Sequence, residues 1–169
     1  MKKRALVVVA SNRAAAGVYA DRGGPLLVEG LRALGFTVDG PQVVPDGEPV
    51  SAALTAAVVA SYDVVLTTGG TGLTPGDLTP EMTRRVIDRE VPGIAEAIRA
   101  YGLTHGVASA ALSRGLAGLA GSTLVVNLPG STGGCRDGLE VLSPILVHAV
   151  EQVRGGDHPP ASDNDTGPA

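Results

Sequence analysis

The 169 residues suit one domain with a full hydrophobic core, and with 44% hydrophobic but only 2% aromatic residues that core must be built from Val, Leu, Ile and Ala. A formal net charge of −4 and the scarcity of base-stacking side chains argue against a nucleic-acid surface. The single cysteine, Cys135, excludes an internal disulfide and an all-cysteine metal cage, and it suits a reducing cytosol, so a cytoplasmic protein is expected.

MKKRALVVVAS opens like a signal peptide, but its apolar run is shorter than the ~7–15 residues of an h-region. Ala5–Ala10 (ALVVVA) reads instead as a first strand, covered on both faces. Asp21 can cap a helix carrying Leu27, Leu31 and Leu34, with Gly35 just past its end. Phe36–Val44 reads as a second, less regular strand, Pro49–Ser61 as an Ala-rich helix, and Val64–Thr68 as a third strand. Thr79 is a good N-cap with Pro80 at the first helical position; that helix carries Met82, Val86 and Ile87 and ends before Pro92. A further helix, Gly93–Tyr101, has Ile94, Ile98 and Tyr101 on one face, and Thr123–Asn127 is another buried strand. The last helix carries Leu139, Leu142, Leu146, Ala149, Val150 and Val153, and Pro144 within it predicts a kink or a late start. No run approaches the ~20 apolar residues of a membrane-spanning helix, so no membrane partner is expected.

Strands alternating with helices imply right-handed βαβ units, and so an α/β fold with a parallel sheet and helices on both faces. The domain is predicted over residues 1–154. The tail from Gly155 (GGDHPPASDNDTGPA) is polar, rich in Gly and Pro, and predicted to be disordered.

In such a sheet, ligands sit beyond the C-terminal ends of the strands. Three unusual segments follow predicted strands: SNRAAAGVYADRGGP, GGTGLTPGDLTP and LPGSTGGCRDG. All three would open at one rim. Gly69-Gly70-Thr71-Gly72 lacks side chains where backbone must approach a ligand, and its amides could form an anion nest for phosphate. The loop is neither a Walker loop nor a GxGxxG dinucleotide fingerprint. Asp77 is either a first-turn acid favoured by the helix dipole or a hard oxygen ligand for Mg²⁺ held against nucleotide phosphates. Asp46, in VVPDG, is either a turn residue or a second carboxylate at the site. Carboxylates beside a phosphate cradle repel it unless a cation intervenes. Ser11 and Arg13 could clamp a second anion or simply form a solvated turn. Ser113-Arg114-Gly115 is ambiguous on its own, and Leu128–Ser131 could wrap a base or ribose or simply turn the chain. His105, His148 and His158 have no zinc-site spacing.

TTGGTGLTPGDLTPE (Thr67–Glu81) resembles the signature of the molybdenum cofactor biosynthesis family of Mog and MoaB proteins. The likeness continues in SNRAAAGVYADRGGP, VVPDG and LSRGLAGLAGSTLVVNLPGS, covering roughly residues 4 to 154, and the VYxDxG segment looks more like Mog than MoaB. The resemblance implies a three-layer α/β/α fold with a mostly parallel sheet, assembled as a homotrimer, with hexamers among MoaB relatives. It implies a molybdopterin adenylyltransferase that takes ATP, molybdopterin and Mg²⁺, and whose product goes on to molybdenum insertion by a downstream insertase. Carried over by motif position, Asp46 and Asp77 are the functional aspartates, with Asp77 at the metal. Gly69, Gly70, Thr71 and Gly72 cradle phosphates; Ser113, Asn127, Pro129, Gly130 and Ser131 lie near the nucleotide; Ser11 and Arg13 lie toward the pterin. Two positions depart from the pattern. Gly76 stands where many relatives have Arg, and Asn12 where many have Asp. The alternative is a non-catalytic pterin- or nucleotide-binding paralogue.

Overall fold

The computed structural model describes residues 2–156. Six strands form one sheet: β1 (Arg4–Ala10), β2 (Thr37–Val44), β3 (Val64–Thr68), β4 (Arg89–Glu90), β5 (Ala117–Ala120) and β6 (Thr123–Leu128), in the order β2-β1-β3-β6-β5-β4. The first four in that order run parallel. β5 is antiparallel to both β6 and β4. The sheet is therefore mixed and mostly parallel. Its rims are β2, whose register against β1 shifts between Leu6 and Val8, and the two-residue β4.

The helices are α1 (Asn12–Ala15), α2 (Gly23–Ala33), α3 (Glu48–Val59), α4 (Thr79–Arg84), α5 (Pro92–Thr104), α6 (Thr132–Leu142) and α7 (Leu146–Val153), with a short 3-10 helix at Ala108–Leu112. Side chains alternate across a strand, so the unbroken apolar runs feed two cores at once. On one face Ala5, Val7, Leu66 and Val126 pack with Leu27 and Leu31 of α2, Ile94 and Ile98 of α5, Leu142 of α6 and Leu146 of α7. On the other, Leu6, Val8, Val65 and Val125 pack with Val50 and Leu54 of α3 and Met82 of α4. This gives the expected three layers.

Several local expectations hold. Asp21 Oδ1 accepts from the amides of Gly23 and Gly24, both at 3.1 Å, and so caps the start of α2. Gly35 follows α2 with a φ of +87°, a conformation that favours glycine. Pro144 falls at a break, and the predicted last helix is two, α6 and α7. Three expectations are corrected. Thr79 does not cap α4: Leu78 is at the cap and Thr79 is the first helical residue, its amide donating to the Gly70 carbonyl at 3.0 Å. α4 stops at Arg84 because the chain turns into β4 beside β5, where the Asp88 amide donates to Leu119 O at 2.8 Å; Val86 and Ile87 still pack on the core. β4 and β5 have no counterpart among the predicted strands. Apart from Gly155 and Gly156, the tail predicted to be disordered lies outside the described residues.

Candidate active site

Because β1, β3 and β6 are parallel and in register, Ala10, Thr68 and Leu128 end at one rim of the sheet. The loops that leave them touch backbone to backbone. The Gly69 amide donates to Leu128 O at 3.2 Å. A Cβ on Gly69 (φ +93°) would overlap the Ala10 carbonyl oxygen, and one on Gly130 would stand 3.2 Å from Gly69 Cα. The glycines of the signature are needed here for this approach as much as for a ligand.

Two cavities, each of about 620 Å³, open at this rim. The first is lined by Ser11, Arg13, Tyr19, Arg22, Asp46 and Gly69, among others. The second is lined by Thr71, Gly72, Ser113, Pro129 and Ser131, with Arg99 and an apolar wall of Leu73, Ile98, Val107 and Leu112. Gly70, Asp77 and Gly130 line both, so they form the partition between them. Ser11 and Arg13, expected on the pterin side, line the first cavity, and Thr71, Gly72, Ser113, Pro129 and Ser131, expected near the nucleotide, line the second; Gly69, expected with the latter, lines only the first. Asn127 lines neither. It is buried beneath the rim, where Oδ1 accepts from Leu116 N (3.2 Å) and Nδ2 donates to the Thr67 (3.0 Å) and Thr83 (2.9 Å) hydroxyls. Its amide is consumed by the scaffold.

In the first cavity, Ser11 Oγ accepts from Ala14 N at 3.1 Å, capping α1, and lies 3.0 Å from Tyr19 Oη. The Arg13 guanidinium sits 5.2 Å from the centre of the Tyr19 ring. Asp46 is locked to Asn12 by a reciprocal pair: Asn12 N donates to Asp46 Oδ2 (3.1 Å) and Asp46 N to Asn12 Oδ1 (3.0 Å). Asp46 Oδ1 is buried with no hydrogen-bond partner. Asp77 Oδ2 accepts from both the amide (2.9 Å) and the hydroxyl (2.7 Å) of Thr74, so this carboxylate closes its own loop.

The residue that sequence reasoning left undecided is Arg114. Its backbone amide donates to Thr71 O (2.8 Å), Nε donates to Gly72 O (2.8 Å), Nη2 donates to Asp77 O, and Nη1 pairs with the Glu81 carboxylate. One side chain thus ties both ends of the loop that carries Asp77. The Arg114 guanidinium holds the Glu81 carboxyl below the usual carboxylate range. Only the charges of Glu81 and Arg114 hinted at this pairing, across 33 positions. Arg99 likewise braces the next loop, donating to Gly115 O at 2.9 Å. Cys135 is fully buried with Sγ 3.2 Å from Thr68 Oγ1, and burial pushes its thiol up.

Among the described residues no three His, Cys, Asp or Glu side chains cluster to hold a metal, and no helix is long and apolar enough to cross a membrane. The donor set does fit Mg²⁺. That ion takes hard oxygens and is commonly held by one or two carboxylates together with substrate phosphates and water. Asp46 and Asp77 both line the first cavity and bring hard carboxylate oxygens of this kind to it.

A family model described as "Probable molybdopterin binding domain" matches residues 6–148. The chain belongs to the Mog/MoaB family of molybdenum cofactor biosynthesis proteins. Among its curated relatives, a "Molybdenum cofactor biosynthesis bifunctional protein" of Chlorobaculum tepidum is 39% identical over 157 residues, covering 92% of this chain and 50% of that protein. The "Molybdopterin adenylyltransferase" of Escherichia coli K12 is 35% identical over 153 residues, covering 85% of this chain and 77% of its own. The chain thus spans about half the length of the bifunctional relatives. Among solved structures, the Mog protein of Mycobacterium ulcerans superposes with a TM-score of 0.87 at 47% identity, covering 92% of this chain and 99% of that one. MoaB of Thermus thermophilus superposes with a TM-score of 0.84 at 42% identity, covering 90% and 97%. The Mog/MoaB likeness therefore extends over both chambers and the partition.

Proposed function

We propose that this chain is a molybdopterin adenylyltransferase, moving AMP from ATP to the terminal phosphate of molybdopterin and releasing pyrophosphate. The observation that supports this reading most is the pair of chambers divided only by Gly70, Asp77 and Gly130. Two ligands bound on either side of so thin a wall can meet at their phosphates. The apolar wall of the second chamber suits a nucleobase. The first, the more polar of the two and flanked by Arg13 and Arg22, suits the pterin and its phosphate.

The chemistry is a phosphoryl-centre displacement. An oxygen of the molybdopterin phosphate forms a bond to the α-phosphorus of ATP, the bond from that phosphorus to the bridging oxygen breaks, and pyrophosphate leaves with the electron pair. A phosphate monoester has its second pKa near ~6, so the nucleophile is already a dianion at neutral pH and needs no general base. What remains is positioning and charge. The amides of Gly70, Thr71 and Gly72 and the hydroxyls of Ser113 and Ser131 orient phosphate and ribose oxygens, and Arg13 receives the pterin phosphate; the Gly69 amide is already held by Leu128 O. In the first chamber the carboxylates of Asp21, Asp46 and Asp77 outnumber the guanidiniums of Arg13 and Arg22. A dianion entering there therefore requires a compensating cation. Asp77 and Asp46 would hold Mg²⁺, which when bound supplies positive charge to the crowded phosphates. A homotrimer, a cytoplasmic location and a downstream molybdenum insertase as recipient of the product belong to this reading.

The test is pyrophosphate release from ATP, Mg²⁺ and molybdopterin, run beside Asp46→Ala and Asp77→Ala. Release by the wild type, with loss of at least about a hundredfold in both folded variants, is the expected outcome. Gly76 lines the first chamber and brings no cation to it, which favours a second reading, a non-catalytic binding paralogue. Such a protein would retain both ligands and release no pyrophosphate.

A further inference from the structure

Two side-chain oxygens among the described residues are buried without a hydrogen-bond partner, Asp46 Oδ1 and Thr79 Oγ1. They face the same gap. Gly70 (φ +64°) borders it: a Cβ there would collide with Thr79 Oγ1 and stand 2.8 Å from Asp46 Oδ1. The two oxygens are chemically complementary, since an ionised carboxylate only accepts and a hydroxyl can donate. Neither belongs to a loose segment. Asp46 is held through Oδ2 and its amide by Asn12. Thr79 is fully buried, its amide donates to Gly70 O at 3.0 Å, and its carbonyl accepts from Thr83 Oγ1 at 2.8 Å. A buried hydroxyl ordinarily finds a partner, and the unpartnered acceptor across this gap is the carboxylate of the first chamber.

We propose that Thr79 is a positioning residue for Asp46: its hydroxyl donates to Asp46 Oδ1 through one bridging water molecule, across the gap left by the absent Cβ of Gly70. Asn12 then fixes one carboxylate oxygen and Thr79 the other, so the plane of the Asp46 carboxylate is set before any ligand arrives. The signature thereby carries two jobs in three residues. Gly70 keeps the gap open, Asp77 stands on the partition, and Thr79 reaches under it to the carboxylate that follows β2. The consequence for turnover rests on the adenylyltransferase reading above; the hydrogen bond does not.

The test uses the full chain with Thr79→Val, which keeps the shape and removes the hydroxyl, Thr79→Ser, which restores it, and Asp46→Ala. The first readout needs no activity. In urea unfolding, Thr79→Val and Asp46→Ala should be non-additive, the double variant losing less than the two single variants together. Strict additivity would overturn the bond. The second readout is steady-state pyrophosphate release. Thr79→Val should lower kcat by about tenfold while leaving the KM for ATP within about twofold, and Thr79→Ser should recover most of the loss. A wild-type kcat in Thr79→Val, or a loss that Thr79→Ser does not recover, would overturn the positioning role. If the wild-type protein releases no pyrophosphate, the adenylyltransferase reading fails, and the unfolding cycle still decides the bond.

Discussion

Single side chains at this rim divide into those that face a chamber and those that hold the rim together, and the sequence shows their identity more readily than their direction. Asn127 illustrates this. The motif around it is intact, yet its amide points into the layer beneath, towards Leu116, Thr67 and Thr83. Asn127→Ala should therefore cost about 1–3 kcal/mol in urea unfolding, because it strands buried polar partners, while the KM for each substrate stays unchanged in the folded fraction. Cys135 makes the opposite point, since the sequence already shows that it has no second cysteine to pair with. Its buried thiol is pushed up, so an aromatic disulfide reagent should react only on the timescale of unfolding, and reaction should become complete in denaturant.

At the level of elements, the continuous apolar runs of β1, β3 and β6 were visible because each strand feeds both cores. β5 was not, because Ala117–Ala120 (AGLA) has neither the β-branched nor the aromatic residues that mark a strand, and its place comes from pairing with β6. The loop between β3 and α4 was legible as glycine-rich, but its fastening was not, since Arg114 arrives from far along the chain. That fastening has a pH signature. The folded state holds the Glu81 carboxyl below its ordinary range, chiefly through the hydrogen bond from Arg114. A depressed carboxylate contributes stability above its unfolded pKa and loses it as pH falls through the folded value. Wild type should therefore be more stable than Glu81→Gln at neutral pH, and their unfolding midpoints should converge as the solution is acidified below the usual carboxylate range. A constant gap across that range would dismiss the tie.

Taken whole, the molecule keeps two chambers apart and joins them at one wall. On the adenylyltransferase reading, substrates bound in separate chambers need not wait for each other, so initial-rate lines for ATP and molybdopterin should intersect, and neither product-free chamber should demand prior filling of its neighbour. Arg13 lines only the first chamber, so Arg13→Ala should raise the KM for molybdopterin and leave that for ATP within about twofold. The rims of the sheet carry a further consequence. On one side β2 includes Pro41, which has no amide hydrogen, at the point where its register slips. On the other, β4 offers only Arg89 and Glu90, both exposed and oppositely charged. Neither border can template a ribbon of added strands, so the folded chain should withstand crowding without seeding fibrils.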